Sequence, residues 1–276
     1  MNWGEFVDEV GRAVRIAAPA SRVVSLVPSL TETLYDLGAG DRVVGVTDWC
    51  DPALPDGVDP VRVGGVCNPR IETVLDLEPE LVLVSREENS LDDVRRLERE
   101  GIPVFAVNPR DVTDAALTVR NLGRLLGTDE RATALAESID EGRGRVTDRF
   151  EGLEPIPAVM PIWKDPWMTV GPGTYPASLL EDVGVRLVGL KTFSQYPQLS
   201  LERAANAYPT LVLLPSEPYD FHGDAGRELL CALGRRCDAL PRAIRLDGRM
   251  VAWYGSRSGD RLAELAGLVR PELQEP

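Results

Sequence analysis

Two stretches of this chain, 130 residues apart, repeat one pattern of polar and apolar positions. The first is Ile71-Glu72-Thr73-Val74-Leu75-Asp76-Leu77-Glu78-Pro79-Glu80-Leu81-Val82-Leu83-Val84. It opens on helical spacing, meets a proline that stops the helix, and runs into four consecutive apolar residues. The second, Leu201-Glu202-Arg203-Ala204-Ala205-Asn206-Ala207-Tyr208-Pro209-Thr210-Leu211-Val212-Leu213-Leu214, does the same. A short unbroken aliphatic run after a breaker is the pattern of a strand buried on both faces, as in a parallel sheet. Each repeat therefore predicts a short helix leading into a central strand.

The segments before the repeats also correspond. Arg22-Val23-Val24-Ser25-Leu26-Val27-Pro28-Ser29, followed by Thr31-Glu32-Thr33-Leu34, reads as strand, Pro-bearing loop and helix. Ala158-Val159-Met160-Pro161-Ile162-Trp163, followed by Tyr175-Pro176-Ala177-Ser178-Leu179-Leu180, reads likewise. Two such series without hairpin signals predict an α/β protein of two Rossmann-like lobes with mainly parallel sheets. Between them, residues 113–150 contain no proline, and Ala116, Val119, Leu122, Leu126, Leu135, Ile139 and Val146 recur at mostly helical spacing. This predicts one long α-helix, capped by Thr113 or Asp114 and bent near Gly127. Gly142 and Gly144 would weaken its last turns by about 1 kcal/mol each. The expected organisation is an N-terminal lobe over 1–112, an interlobe helix over 113–150 and a C-terminal lobe over 151–276.

Length and charge narrow the function. At 276 residues and 43% apolar, the chain can bury two cores. Its longest apolar runs fall far short of the ~20 residues that span a bilayer. A net charge of −14 repels a polyanion over most of the surface, so nucleic acid is excluded as a partner. Lys164 and Lys191 are the only lysines, which reads as a compositional bias toward arginine. The first residues have neither the basic start nor the apolar stretch of a secretory leader, so the chain as written reads as cytoplasmic. Cys50, Cys67, Cys231 and Cys237 form no Cys-x-x-Cys pair and only His222 accompanies them, so no metal site is expected. Nucleophile elbows, phosphate loops and dinucleotide fingerprints are missing, Gly171-Pro172-Gly173-Thr174 reads as an ordinary loop, and no enzyme is expected.

Aromatic residues supply the candidate binding chemistry. Trp49 follows the predicted strand Val43–Val46, Trp163 and Trp167 follow the one at 158–162, Tyr196 sits beside Pro197, and Trp253 and Tyr254 precede Arg257. Rings at strand ends offer area to a large flat ligand, and Arg257 would hold its amide, carboxylate or phosphate groups. One such tryptophan usually closes the rim of its own lobe, but four of the five tryptophans in loops of this kind favour ligand contact. In Glu217-Pro218-Tyr219-Asp220-Phe221-His222 the lone histidine reads as a turn residue, and metal ligation by the protein is not expected. Glu72 and Glu202 open the helices of the two repeats, where the helix dipole alone accounts for a carboxylate by about 0.3–1 kcal/mol.

A family resemblance covers nearly the whole chain. It runs from Asp8-Glu9-Val10-Gly11-Arg12-Ala13-Val14-Arg15-Ile16 into Arg22-Val23-Val24-Ser25-Leu26-Val27-Pro28-Ser29-Leu30-Thr31-Glu32-Thr33. It continues through Val43-Val44-Gly45-Val46-Thr47-Asp48-Trp49-Cys50-Asp51, Val63-Gly64-Gly65, the first repeat, and Tyr196-Pro197-Gln198-Leu199-Ser200-Leu201-Glu202. On these residues the chain resembles the solute-binding proteins of ABC importers for cobalamin and siderophores, the class with a helical backbone between its lobes, and within it the cobalamin-binding branch. The resemblance implies a ligand cleft between the lobes, a corrinoid such as cobalamin as ligand with no intrinsic cofactor, a monomer, and no catalysis. It implies aromatic contacts from Trp49, Trp167, Tyr196 and Trp253, beside which Trp163, Tyr254 and Arg257 stand as further candidates. It also implies that Glu72 and Glu202 dock onto arginines of a permease. At Val66 the chain departs from the branch, which places another cleft tryptophan there. Ferric siderophores and haem are alternative ligands on the same scaffold, and an intracellular corrinoid-handling enzyme or chaperone is the alternative from another class. The family usually works outside the cytoplasmic membrane, where Cys50 with Cys67 and Cys231 with Cys237 would be placed to form disulfides.

Overall fold

The apolar runs become strands covered on both faces. The computed structural model describes residues 4–234 and 240–273. The chain opens with an antiparallel ribbon, β1 (Glu5–Val7) and β2 (Ala13–Arg15). Its turn is closed by Asp8, whose Oδ1 accepts the amides of Val10 and Arg12 at 3.1 and 2.7 Å. There follow β3 (Val23–Ser25), α1 (Pro28–Asp36), β4 (Val43–Val46), β5 (Val61–Arg62), α2 (Ile71–Asp76), β6 (Leu81–Ser85), α3 (Leu91–Arg99) and β7 (Val104–Val107). The five strands β3 to β7 form one parallel sheet in the order β5-β4-β3-β6-β7. Val82 and Val84 of β6 pack with Val24, Val74, Val94 and Leu97 on one face, while Leu81 and Leu83 are buried on the other. Burial on both faces is why β6 reads as a continuous run instead of an alternating one.

After α4 (Val112–Leu126) and α5 (Asp129–Phe150) the topology repeats. The elements are β8 (Ile156–Val159), β9 (Pro161–Trp163), β10 (Met168–Thr169), α6 (Tyr175–Asp182), β11 (Val185–Leu187), α7 (Leu201–Asn206), β12 (Leu211–Pro215), α8 (Asp224–Gly234), β13 (Arg242–Leu246), α9 (Arg249–Ala252) and α10 (Ser258–Val269). The second sheet, β11-β8-β12-β13, is parallel and follows the spatial order of β4-β3-β6-β7. Its core joins Val159, Val212, Leu214, Phe221 and Leu229. The correspondence extends to backbone conformation: Glu78 and Tyr208, each just before the proline of its repeat, adopt left-handed φ of 46° and 50°.

Two expectations change. The strand expected over 158–162 stops at Val159, and Pro161–Trp163 pairs antiparallel with Met168–Thr169 as a hairpin. The long helix is two helices. Gly127 (φ 66°) ends α4 in a Schellman motif, with Thr128 N–H donating to Gly123 O at 2.8 Å and Gly127 N–H to Arg124 O at 3.4 Å, before α5 begins at Asp129. α5 then continues through Gly142 and Gly144 to Phe150. Gly142 has a packing reason, since a Cβ there would lie 3.2 Å from the Cα of Gly259 in α10.

Contacts divide the chain into two units: Met1–Pro109 with Thr113–Asp140 and Tyr254–Ser258, and Arg110–Val112 with Glu141–Trp253 and Gly259–Pro276. α5 thus begins in the first unit and ends in the second. Cys50, Cys67 and Cys231 are free thiols, so the bridge from Cys50 to Cys67 is not formed, and Cys237 lies outside the described residues. Among the described residues no helix is long and apolar enough to cross a membrane.

Candidate functional site

A parallel sheet presents its loops for binding at the carboxyl ends of its strands, most readily where the winding reverses. Here the reversals lie between β3 and β6 in the first sheet and between β8 and β12 in the second. The candidate aromatics sit at these carboxyl edges.

In the first unit, Trp49 leaves the end of β4 and is 68% exposed. Its neighbour Cys50 points inward, with its thiol 3.1 Å from Thr47 Oγ1 and 3.3 Å from Thr31 Oγ1, and burial pushes that thiol's pKa up. Asp48 N–H donates to Gly64 O at 2.9 Å, so the loop is tied down on both sides of the indole. Arg257 is half-exposed, with Nη1 4.0 Å from Glu32 Oε1. Tyr254 is only 6% exposed and its hydroxyl donates to Glu88 Oε1 at 3.4 Å. Burial, with the Glu88 charge next, raises that phenol's pKa well above its ordinary value.

In the second unit, the hairpin β9–β10 carries Trp163, 45% exposed, and the half-buried Trp167. The strand-like segment bearing Tyr196, itself 41% exposed, lies along the hairpin: Thr169 N–H donates to Pro197 O at 3.1 Å and Leu199 N–H to Trp167 O at 2.9 Å. Gly171 permits this approach, because a Cβ there would stand 2.1 Å from Ser194 O. Trp253 is not at the surface. It is 8% exposed, with the guanidiniums of Arg249 and Arg261 over its ring at 5.7 and 5.5 Å. Trp253 and Tyr254 were expected to face ligand from a loop, but both are buried, Trp253 beneath two neighbouring arginines and Tyr254 against Glu88, far away in sequence.

Sequence reasoning missed two rings. Tyr219, after β12, meets Trp163 edge-on with centroids 5.5 Å apart, and the buried Phe221 links Tyr219 to Trp167 at 5.0 and 6.0 Å. The signal was a Pro-Tyr-x-Phe run directly after a buried strand. Next to it, Glu217 and Asp247 lie just after the ends of β12 and β13. Burial, then the Asp247 charge, raises the Glu217 pKa, whereas the hydrogen bonds from Arg249 lower that of Asp247. His222 is structural, its Nε2 being 3.1 Å from both Leu214 O and Leu246 O.

Glu72 and Glu202 occupy the first turns of α2 and α7, both exposed. Glu72 pairs with Arg96, which holds its carboxyl pKa down, while Glu202 makes no ion pair among the described residues. No group of three or more metal-binding side chains is assembled among the described residues.

A duplicated parallel α/β chain with aromatic residues at the carboxyl edges of its sheets is the architecture of a solute-binding protein. The periplasmic binding protein family model matches residues 23–222, and the chain belongs to that family. It is 26% identical over 199 residues to a vitamin B12-binding protein of Yersinia pseudotuberculosis, covering 72% of this chain and 70% of that one. Among solved structures it is similar to the periplasmic vitamin B12-binding protein BtuF of Vibrio cholerae, with TM-score 0.76, 20% identity and 93% and 99% of the two chains covered. It is equally similar to the periplasmic heme-binding protein RhuT of Roseiflexus sp. RS-1, with TM-score 0.77, 21% identity and 92% and 100% covered. At such identities these structures share the fold.

Proposed function

We infer that this chain captures a corrinoid such as cobalamin and delivers it to an ABC importer without altering it. The observation that carries this reading is the exposure of Trp49, Trp163 and Tyr196 at the carboxyl edges of the sheets. Exposed rings on tied-down loops offer flat apolar area at little cost in side-chain ordering. Trp167 extends the surface beside Trp163, and Arg257 supplies a cation to the ligand's amide or carboxylate groups. Trp253 and Tyr254, both buried, are assigned to packing within their own units. The similarity to vitamin B12-binding proteins supports a corrinoid, and the likeness to heme-binding structures makes haem the second reading.

Thermal shift with cyanocobalamin, hemin and a ferric hydroxamate tests the ligand. At 100 times its dissociation constant, a ligand stabilises by about 2.7 kcal/mol. A shift with cyanocobalamin alone is expected, a shift with hemin alone would replace the corrinoid by haem, and no shift would sink the binding reading. Trp49→Ala and Trp163→Ala should each weaken binding roughly tenfold, the scale of one buried aromatic contact. Docking is assigned to Glu72 and Glu202. The double variant Glu72→Ala/Glu202→Ala should keep its ligand but lose capture by the cognate permease, and undiminished capture would refute the assignment.

A further inference from the structure

We propose that Tyr219 binds ligand, completing with Trp163 an aromatic wall at the reversal of the second sheet; this rests on the binding function above. β8 leads into the hairpin carrying Trp163 and Trp167, and β12 leads into the loop carrying Tyr219 and Phe221. The two strands flank the reversal, so the four rings converge there. Trp163 and Tyr219 meet at 76°, Tyr219 and Phe221 at 39°, and Phe221 and Trp167 at 28°. Phe221 is fully buried, Tyr219 and Trp167 are half-buried, and Trp163 is exposed, so the cluster runs from core to solvent. Lys164, whose Nζ lies 5.9 Å from the Trp167 ring centroid, is paired with Glu228. The wall therefore selects a planar macrocycle by ring area more than by charge.

The first unit is an internal comparison. Position 219 corresponds, at the offset of the repeat, to Asn89. Asn89 ties its loop together, accepting from Ser85 N–H at 2.7 Å and donating to Leu26 O and Val66 O at 3.3 and 2.8 Å. In the second unit other groups do that work. His222 bridges Leu214 O and Leu246 O, and Phe221 N–H donates to Pro215 O at 3.0 Å. Gly226 and Gly248 let loop carbonyls approach: Cβ atoms there would lie 2.1 Å from Phe221 O and 2.6 Å from Glu217 O. The loop is thus held without the side chain at 219. That position is released from the role Asn89 plays and carries a half-exposed ring against the exposed Trp163.

The test is titration of the full chain with cyanocobalamin, hemin and a ferric hydroxamate, followed by tryptophan fluorescence, alongside melting of each ligand-free variant. Tyr219→Phe should bind within about twofold of the parent, and Tyr219→Ala roughly tenfold more weakly. Tyr219→Leu keeps apolar packing on Phe221 and should show the same loss with a near-parental melt. A Leu variant that binds like the parent overturns the proposal while leaving the binding function intact, as does a loss of affinity matched by a collapsed melt in both the Leu and Phe variants. A parent that binds none of the probes removes the function and this assignment together.

Discussion

Glu78 and Tyr208 hold matching left-handed backbones, and each donates its amide to the carbonyl three residues back, Leu75 O at 2.9 Å and Ala205 O at 3.0 Å. A side-chain-bearing residue in this region costs about 1–2 kcal/mol, and the extra freedom of an unfolded glycine returns about 0.5–1 kcal/mol of that. Glu78→Gly should therefore stabilise the chain by about 0.5–1 kcal/mol in urea unfolding; destabilisation would mean the exposed carboxylate does more than the backbone argument allows. Glu9 supplies a pH dependence. Burial raises its carboxyl pKa, although Asn108 N–H at 2.8 Å and Asn121 Nδ2 at 3.2 Å donate to it, and the Asp114 charge raises it further. Its folded pKa thus exceeds the unfolded value of about 4.3. Its contribution is full below that value and lost as pH rises through the folded pKa. Glu9→Gln, which does not titrate, should gain on the parent across that window and keep a constant difference above it, as read from unfolding free energies between about pH 4 and 8. A difference independent of pH would refute this. At this scale the sequence revealed which aromatics lie in loops but not which are enclosed, because Trp253 is covered by Arg249 and Arg261 and Tyr254 meets Glu88, 166 residues away.

Elements were more legible, for a physical reason. A helix stopped by proline and followed by a doubly buried strand is a local pattern, and its recurrence exposed the duplicated topology without any long-range information. Where local pattern was ambiguous, the reading failed. Met160 to Trp163 continue the apolar run of β8, so nothing marked the hairpin, and Gly127 signalled a bend where the Schellman bonds make a full stop. Two glycines of α5 carry opposite predictions. Gly144 lies within α5 with nothing within 4 Å of a built Cβ, so Gly144→Ala should stabilise by about 0.5–1 kcal/mol. Gly142→Leu would push a side chain into the backbone of α10 and cost about 1–3 kcal/mol. Thermal melts of the two variants should move in opposite directions. Parallel shifts would mean that helix propensity, and not the approach of Gly259, sets the sequence of α5.

The whole molecule is interlaced in sequence, because the first unit is finished by a segment from near the end of the chain. Tyr254–Ser258 belongs to it, between flanking residues that belong to the second. Tyr254 fills a buried site, Ser256 N–H donates to Thr33 Oγ1 at 3.1 Å, and Ser256 Oγ donates to Asp36 Oδ2 at 2.7 Å. Gly255, at φ 117°, passes so close to α1 that a Cβ would lie 2.2 Å from Thr33 Oγ1. A chain cut after Phe150 therefore does not release a complete first unit. The fragment 1–150 retains all five strands of its sheet but leaves the Tyr254 site empty and Thr33 and Asp36 without these partners. Losing one buried aromatic costs about 3–5 kcal/mol, a large share of the stability of a domain of this size. Fragment 1–150 should unfold at markedly lower urea than the intact protein. Adding fragment 151–276 should restore the lost stability, and the same fragment carrying Tyr254→Ala and Gly255→Val should restore much less. Equal rescue by the two fragments would show that parts of 151–276 other than the returning segment restore the stability.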